Sequence, residues 1–280
     1  MIILTGANGF IGKAFRKELG VDVLIYKVEE RNAFSFLKRF DEWKKVELII
    51  HQGAISSTVE TDINKIHKYN VDFTLKLFEK AIEYQIPVKY ASSASIYGNT
   101  RQSLLPSTEN KISPLNYYAI SKLQIDYFVL DNIDKFKLIQ GFRYFNVYGE
   151  GEEHKGNQAS PIHKFTKQIK ETGKLKLFEG SDKFLRDFIY VGDIVDIVLN
   201  NDKPSGIYDL GTSRPISFQQ VGEAVAKMYQ GKIDYIPFPD HLKGKYQTFT
   251  MAKNEWDDYD FTSMSAFLLA DATMSRSDDT

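Results

Sequence analysis

Tyr118 and Lys122 stand four residues apart in the segment "YYAISK" (117–122), which otherwise has the pattern of a helix. Side chains at i and i+4 are neighbours on one helical face, so a phenol and an ammonium group would lie close together. A phenol is a weak base at its ordinary pKa of about 10, and a nearby cation favours the phenolate. The spacing allows a proton-transfer pair, and it equally allows two ordinary side chains on a helix surface.

A glycine-rich segment near the start of the chain supplies the partner that such a pair would need. "GANGFIG" (6–12) directly follows an apolar run and opens an amphipathic helix. Glycines at this spacing permit a tight turn and close approach of the backbone to a pyrophosphate, which the helix N-terminus attracts. The position between a strand and a helix argues against an ordinary loop. We predict that a dinucleotide binds here, at Gly6, Gly9, Phe10, Ile11 and Gly12.

A serine completes the predicted catalytic set. Ser93 ends an apolar run at 88–93, and the carboxyl ends of parallel strands are where doubly wound sheets bind ligands. A nicotinamide takes hydride from a carbinol carbon only if another group accepts the hydroxyl proton. Ser93 can hydrogen-bond the substrate oxygen while Tyr118 exchanges the proton and Lys122 supplies positive charge. We therefore interpret Tyr118 and Lys122 as a catalytic pair.

Short apolar runs alternate with helical patterns over the first two thirds of the chain. This alternation predicts an α/β fold with a doubly wound parallel sheet. After Gly149 longer polar segments predict a smaller C-terminal lobe, with a basic helix near 161–171 and a strand-like stretch at 187–193. We expect the tail beyond 267–270 to fray. The predicted strands are 1–6, 22–27, 46–54, 88–93, 137–145 and 206–211, with helices such as 11–19 and 72–84 between them.

Composition limits the class of protein. The chain has 280 residues, of which 42% are hydrophobic, so a large core is expected. A formal charge of −1 gives no reason to expect a nucleic acid or an anionic membrane as partner. The absence of cysteine excludes disulfides and thiolate metal sites, and we predict no metal. Without a recognisable signal peptide or spanning segment, we expect a cytoplasmic protein.

Two kinds of side chain compete for the cofactor's ribose at the end of the second predicted strand. Lys27, with Arg31 close behind, would accommodate the 2′-phosphate of NADP. Glu29 or Glu30 would instead accept a hydrogen bond from the 2′-hydroxyl of NAD. The strand end at Lys27 favours NADP, with NAD as the alternative.

The motifs "TGANGFIG", "ASSASIYG" and "YYAISK" resemble those of the extended short-chain dehydrogenase/reductase family, the nucleotide-sugar epimerases and dehydratases. "GFRYFNVYG", "HKG", "KLFEGSDKFLRDFIYVGD" and "YIPFPDHLKGKYQTFT" are similar to segments of the ADP-glycero-manno-heptose 6-epimerases. The resemblance covers residues 1 to about 250 and dissolves after Thr250. It implies a Rossmann domain at 1–149, to which 187–211 return, and a substrate-binding lobe at 150–186 and 212–280. The segment 28–45 is shorter than is usual in the family, and a third strand is hard to find in it.

The resemblance implies a reaction in which Lys155 has a role. The inverted C6 carries a hydrogen that is not acidic, so hydride would leave to NADP, give a ketone, and return to the opposite face. Tyr118 would then serve one epimer and Lys155 the other. The alternative is that Lys155 is a solvated lysine in the loop "EGEEHKGNQ" (150–158).

The same resemblance implies the binding residues and partners. Arg186 would hold pyrophosphate through its two-pronged guanidinium, although it could instead pair with Asp187, and Tyr246 could merely pack. An ADP-sugar is the implied partner, and the family is compatible with a homo-oligomer. Cofactor contacts are implied for Lys27, Gln52, Gly53, Ala54, Asn70, Tyr118, Lys122 and Val147, and substrate contacts for Ser56, Asn146, Asn157, Lys164, Phe178, Glu179, Gly180, Ser181, Arg186 and Tyr246.

Two other functions compete with this one. A related enzyme could act on another nucleotide sugar, as a UDP-hexose 4-epimerase or a 4,6-dehydratase. A dehydratase normally carries an Asp–Glu pair where this chain has Ala94 and Ser95, which argues against that activity. A non-catalytic nucleotide-sensing protein could keep the fold, but the Ser93, Tyr118 and Lys122 set argues against it.

Overall fold

The apolar runs of the first half form a sheet whose central strands are buried on both faces, as is typical of parallel strands covered by helices. The computed structural model describes residues 1–21, 24–98, 112–240 and 247–277. Among these residues, six parallel strands pair in the order β2-β1-β3-β4-β5-β10, which confirms the predicted fold class. They are β1 (Ile2–Thr5), β2 (Ile25–Val28), β3 (Leu48–His51), β4 (Val88–Ser93), β5 (Ile139–Tyr144) and β10 (Gly206–Leu210).

Contacts divide the chain into two units. The first comprises Met1–Gly98, Ile112–Tyr144 and Val195–Leu210, and the second includes Phe145–Ile194 and the described residues from Gly211 onward. The helices that begin in the first unit are α1 (Phe10–Leu19), α2 (Ala33–Arg39), α3 (Ile63–Ile66), α4 (Phe73–Tyr84) and α5 (Tyr117–Asn132), with a π-helical stretch His67–Asp72 joining α3 to α4.

The strand order reverses at β1, which lies between β2 and β3. A ligand crevice forms at such a reversal, outside the carboxyl ends of the strands. Between β2 and β3, where every residue is described, the chain forms α2 and two short 3₁₀ turns but no strand. The short segment noted in the sequence therefore leaves β2 at the edge of the sheet, where Tyr26 packs against Phe36 and Phe40.

The second unit is built from short strands packed on helices. Its core includes Leu175, Leu177, Val221, Val225 and Leu268. Three two-stranded pairings occur among its described residues: β6 with β9, β7 with β12, and β8 with β11. Its strands are β6 (Asn146–Tyr148), β7 (Lys174–Phe178), β8 (Leu185–Arg186), β9 (Phe188–Tyr190), β11 (Ile216–Ser217) and β12 (Lys232–Ile236), and its helices are α6 (Pro161–Thr172), α8 (Phe218–Met228) and α9 (Met264–Ser277), while α7 (Val191–Asn200) begins in it.

Two local predictions were wrong. The strand expected at 187–193 ends at Tyr190, and Val191 already begins α7. The polar tail after 267–270, which we expected to fray, continues α9 as far as Ser277, and its Ala272 is buried. Phe267 packs on Tyr148 at a centroid distance of 5.3 Å, and Asp271 pairs with Lys170 at 2.8 Å. These distant partners give α9 its stability, so its sequence alone gave a weak signal.

Membrane-spanning potential can be judged from the helices. Within the described ranges, no helix combines the length and the apolar run that crossing a membrane requires.

Candidate functional site

The glycine-rich turn has the geometry that its sequence predicts. Gly6 has a φ of +67°, and a Cβ there would lie 2.8 Å from the Cα of Gly53. A Cβ on Gly12 would overlap the carbonyl oxygen of Gly6, so helix α1 packs directly on the turn. Helix α1 begins after Gly9 without a side-chain cap. The turn therefore presents a helix N-terminus to an anionic ligand, as pyrophosphate binding requires.

A buried histidine joins the ends of β1 and β3 behind this turn. The Thr5 hydroxyl accepts a hydrogen bond from the Gly53 N–H (2.8 Å) and lies 2.6 Å from His51 Nδ1. His51 Nε2 lies 2.8 Å from the Thr74 hydroxyl. Burial, followed by the charge of Lys122, lowers the pKa of His51 to about 3, so the imidazole stays neutral. His51 was missed because its strand position resembled that of an ordinary core residue.

The end of β2 differs from the predicted one. The strand continues to Val28, whose carbonyl accepts from the Gly6 N–H at 2.8 Å. Lys27 is exposed on this edge strand. The Glu29 carboxylate accepts a hydrogen bond from the Asn8 N–H (2.9 Å), and Arg16 donates to the Asn8 side chain (3.1 Å). Basic and acidic side chains therefore both reach the glycine-rich turn.

Gln52 and Asn70 line the end of β3. The side-chain carbonyl oxygen of Gln52 accepts a hydrogen bond from the Tyr144 hydroxyl (3.1 Å), while the buried nitrogen of the same side-chain amide has no protein partner. Such an orphaned donor beside Gly53 fits a ligand acceptor. The Asn70 amide hydrogen-bonds the backbone of Ile55 on both sides and donates to Ser121 on α5. Asn70 therefore fixes the loop that carries Ala54 and Ser56, and Ser56 is exposed.

Tyr118, Lys122 and Ser93 come together in the first unit. The Asn116 side chain caps α5 by accepting from the Ala119 N–H at 2.9 Å, which fixes the first turn that carries Tyr118. Burial raises the pKa of Tyr118, and a hydrogen bond with Ser93 lowers it. Lys122 Nζ donates to the Ala91 carbonyl (2.7 Å) and lies 5.9 Å from the centroid of the Tyr118 ring. The arrangement can deliver a proton to, or take one from, an oxygen held by Ser93.

A buried hydrogen-bond network centred on Asp126 and Arg143 follows this pair along α5 and was not predicted from the sequence. Asp126 lies one helical turn after Lys122 and accepts from Arg143 Nε (2.9 Å) and the Tyr90 hydroxyl (3.0 Å). Arg143 also donates to the Tyr97 hydroxyl (3.0 Å), and all four side chains are buried. The spacing of Tyr118, Lys122 and Asp126 at i, i+4 and i+8 was a signal that the sequence offered.

We predict that activity falls as the pH rises through about 8. Burial lowers the pKa of Lys122 from 10.5 to about 8, although the charge of Asp126 raises it. Above that pH the folded protein loses the positive charge that lies 5.9 Å from the centre of the Tyr118 ring. Stability changes in the opposite direction, because between these pKa values the unfolded chain binds a proton that the folded chain lacks, so the free energy of unfolding rises.

The measurement is kcat/KM against pH, which reports groups of the free enzyme, alongside urea unfolding at each pH. Lys122→Arg keeps a charge that does not titrate in this range and should remove the falling limb. A limb unchanged in that variant would contradict the assignment to Lys122.

Lys155 belongs to the second unit, in the loop between β6 and α6. Its ammonium lies 3.1 Å from the carboxylate of Glu152, which is fully buried. The side chain of Lys155 is 24% exposed, between a buried and a fully solvated lysine. His154, its neighbour, is exposed.

Other predicted substrate residues also lie in the second unit. Arg186 is buried, donates to the carbonyls of Leu185 and Gln247, and stacks over Phe218 at 5.6 Å. It does not pair with Asp187, which accepts hydrogen bonds from the backbone of Thr212, Ser213 and Ala252.

The remaining predicted residues of this unit lie in or near its short strands and α6. Asn146 and Val147 are in β6, and Phe178 ends β7. Glu179 and Gly180 are exposed, whereas the buried Ser181 hydroxyl has no protein partner. Lys164 donates to the Asn157 carbonyl at 2.5 Å. Tyr246 lies outside the described residues.

Comparison with known proteins agrees with this chemistry. The model of the NAD dependent epimerase/dehydratase family matches residues 2–211. A curated relative, the ADP-L-glycero-D-manno-heptose-6-epimerase of Brachyspira hyodysenteriae, is 38% identical over 283 aligned residues, with 90% of this chain and 89% of that protein covered.

Two solved structures have similar folds. The ADP-L-glycero-D-manno-heptose-6-epimerase of Helicobacter pylori superposes with a TM-score of 0.82 at 27% identity, covering 98% of this chain and 95% of that one. The UDP-glucose 4-epimerase of Thermotoga maritima, solved with UDP-glucose, also has a TM-score of 0.82, at 20% identity and with 100% and 99% covered. At that identity the second likeness concerns the fold alone. The chain belongs to the NAD dependent epimerase/dehydratase family.

Proposed function

We propose that this protein inverts C6 of an ADP-linked glycero-manno-heptose. The observation that carries the proposal is the Ser93, Tyr118 and Lys122 set, in which Lys122 is buried and the other two are half-buried, in the same unit as a glycine-rich dinucleotide turn. The chain is also 38% identical, over 90% of its length, to a protein named for this activity. The protein is an isomerase, because hydride removed from C6 returns to the same carbon.

A nicotinamide dinucleotide held at the glycine-rich turn and beside Gln52 would supply hydride transfer from and to C6. Tyr118 accepts the C6 hydroxyl proton of one epimer as the C–H bond breaks, and the product is a C6 ketone. Lys155, as an ammonium, donates a proton to the ketone oxygen when hydride returns to the other face. The reverse reaction uses the same two groups in the opposite order. The hydride is conserved within each turnover, so no external oxidant is needed. Each forward turnover leaves Tyr118 protonated and Lys155 neutral, and proton exchange with solvent restores both groups.

We propose NADP as the form of the cofactor. Arg16 donates a hydrogen bond to Asn8 in the glycine-rich turn, and Lys27 is exposed on the neighbouring strand. Two cations suit a 2′-phosphate.

The test follows each purified ADP-heptose epimer by NMR in the presence of the enzyme, whose retained cofactor is weighed by native mass spectrometry. Either epimer should give a mixture of both, without net consumption of cofactor. Deuterium placed at C6 should stay in the product, because hydride never exchanges with solvent. A retained cofactor with the mass of NAD would overturn the choice of NADP.

Matched sugar nucleotides serve as controls for the substrate. UDP-glucose and UDP-galactose should not interconvert. If they do while ADP-heptose does not react, the protein is a UDP-hexose 4-epimerase, which is the second candidate because that fold is shared. Loss of the C6 deuterium to solvent would instead exclude hydride transfer.

A further inference from the structure

The loop between β6 and α6, residues 149–160, is organised around one buried carboxylate. Glu152 is 0% exposed although it is flanked by the exposed Glu153 and the half-buried Gly151. A fully buried carboxylate is unusual unless each oxygen has partners. In a sequence run rich in acidic residues, Glu152 is therefore the member with a specific structural position.

Each oxygen of Glu152 accepts two hydrogen bonds. Oε1 accepts from the Ser160 hydroxyl (2.7 Å) and from the Gly149 N–H (3.3 Å). Oε2 accepts from the Ser160 N–H (2.6 Å) and from the Lys155 ammonium (3.1 Å). Three of these donors belong to the two ends of the loop. Two backbone N–H groups and one hydroxyl thus fix the carboxylate, and the Lys155 ammonium binds to this fixed group.

A second amine near Glu152 makes this charge more important. Lys164 projects from α6, and burial lowers its pKa, while the charge of Glu152 raises it and the charge of Lys155 lowers it. Lys155 and Lys164 therefore both interact electrostatically with the single buried carboxylate of Glu152. Without that negative charge, the repulsion between Lys155 and Lys164 would no longer be offset by Glu152.

We propose that Glu152 is the positioning residue for Lys155: its fixed carboxylate holds the lysine ammonium in the place from which it donates its proton. Glu152 touches neither substrate nor cofactor in this scheme. It acts only through Lys155, and the inference rests on the acid–base role of Lys155 proposed above. Glu152 also offsets the repulsion between Lys155 and Lys164.

Glu152→Gln tests the proposal, because it keeps the shape and removes the charge. The rate at which substrate reduces the cofactor is measured separately with each epimer, from the absorbance of reduced nicotinamide in single turnovers. The epimer served by Lys155 should react roughly 10-fold or more slowly, which corresponds to losing a hydrogen bond between charged groups. The epimer served by Tyr118 should react at the wild-type rate. Glu152→Asp, which restores the charge, should recover part of the loss.

Two controls separate positioning from general damage to the loop. Ser160→Ala removes one hydrogen bond to Glu152 and the cap of α6, which accepts from the His163 N–H, but leaves the ion pair intact. It should lower thermal stability, and it should slow the epimer served by Lys155 less than Glu152→Gln does, because the charge of Glu152 is kept. Glu153→Gln removes an exposed neighbouring charge and should change neither rate. Equal slowing of both epimers in Glu152→Gln would overturn the proposal.

A chemical readout keeps this test independent of the proposed reaction. Acylation of Lys155 by an N-hydroxysuccinimide ester is followed by mass spectrometry of peptides, in the wild type and in Glu152→Gln. Freed from the carboxylate, Lys155 should be acylated several-fold faster, whereas the exposed Lys167 should not change. An unchanged rate at Lys155 refutes the positioning role even if ADP-heptose is not the substrate, and a faster rate without turnover refutes only the proposed function.

Discussion

The double variant Tyr118→Phe/Lys155→Met is expected to lose epimer exchange to background, because no group remains to accept the C6 hydroxyl proton. General acid–base groups contribute about 100- to 10,000-fold each. Both groups act in every full turnover, in opposite orders for the two directions. The losses of the two single variants will therefore not add simply, and each alone should already be severe. Exchange is measured by NMR on the two ADP-heptose epimers.

The two single variants should differ from each other only in the first half-reaction, in which an epimer reduces the cofactor. The equilibrium constant between the epimers is fixed, so any variant lowers kcat/KM by the same factor in both directions. Asymmetry appears in the first hydride transfer. Tyr118→Phe should block reduction of the cofactor by one epimer and permit it with the other, and Lys155→Met should show the opposite preference.

Matched variants guard against loss of folding. Tyr127→Phe changes an exposed tyrosine on the same helix as Tyr118, and Lys167→Met changes an exposed lysine on α6. Both should retain wild-type exchange. The scheme would be wrong if the double variant still exchanged the epimers, or if Tyr118→Phe slowed cofactor reduction equally with both.

The parts of the site that the sequence predicted are local in the chain. The glycine-rich turn needs only the spacing of Gly6, Gly9 and Gly12 after a strand, because backbone geometry depends on neighbouring residues. Tyr118 and Lys122 are one helical turn apart, and their meeting with Ser93 follows from the edge at which parallel strands end. These relations depend only on the local sequence and on the general geometry of parallel sheets.

The residues that the sequence did not predict act over long separations. Arg143 and Asp126 are 17 residues apart, and His51 meets Thr5 over 46 residues. Nothing in a run such as "EGEEHKG" tells which carboxylate becomes buried, since three glutamates there have similar local surroundings. Glu152 is distinguished from the other two by its hydrogen bond from the Ser160 N–H, eight residues later in the chain. Tertiary contacts of this kind override local pattern.

Arg143→Met is expected to be among the most destabilising substitutions in the first unit. It leaves the Asp126 carboxylate buried without its cation, and Tyr97, which donates to Asp209, loses the Arg143 donor. Breaking one side of a buried ion pair costs about 3–5 kcal/mol. Urea unfolding of the ligand-free protein measures the loss. Lys80→Met, which breaks the exposed Lys80–Glu83 pair (2.6 Å), should leave the free energy of unfolding nearly unchanged.

The paired variant Asp126→Asn/Arg143→Met separates the stability of this network from its effect on Lys122. It leaves no lone charge at the pair, and the new amide can still accept from Tyr90, so it should be more stable than Arg143→Met. The same variant removes the carboxylate that raises the pKa of Lys122 against the effect of burial. The falling limb of the pH profile should therefore move below pH 8 in the double variant and not in Arg143→Met. A limb at the same pH in both would mean that Asp126 stabilises the fold without adjusting the charge of Lys122.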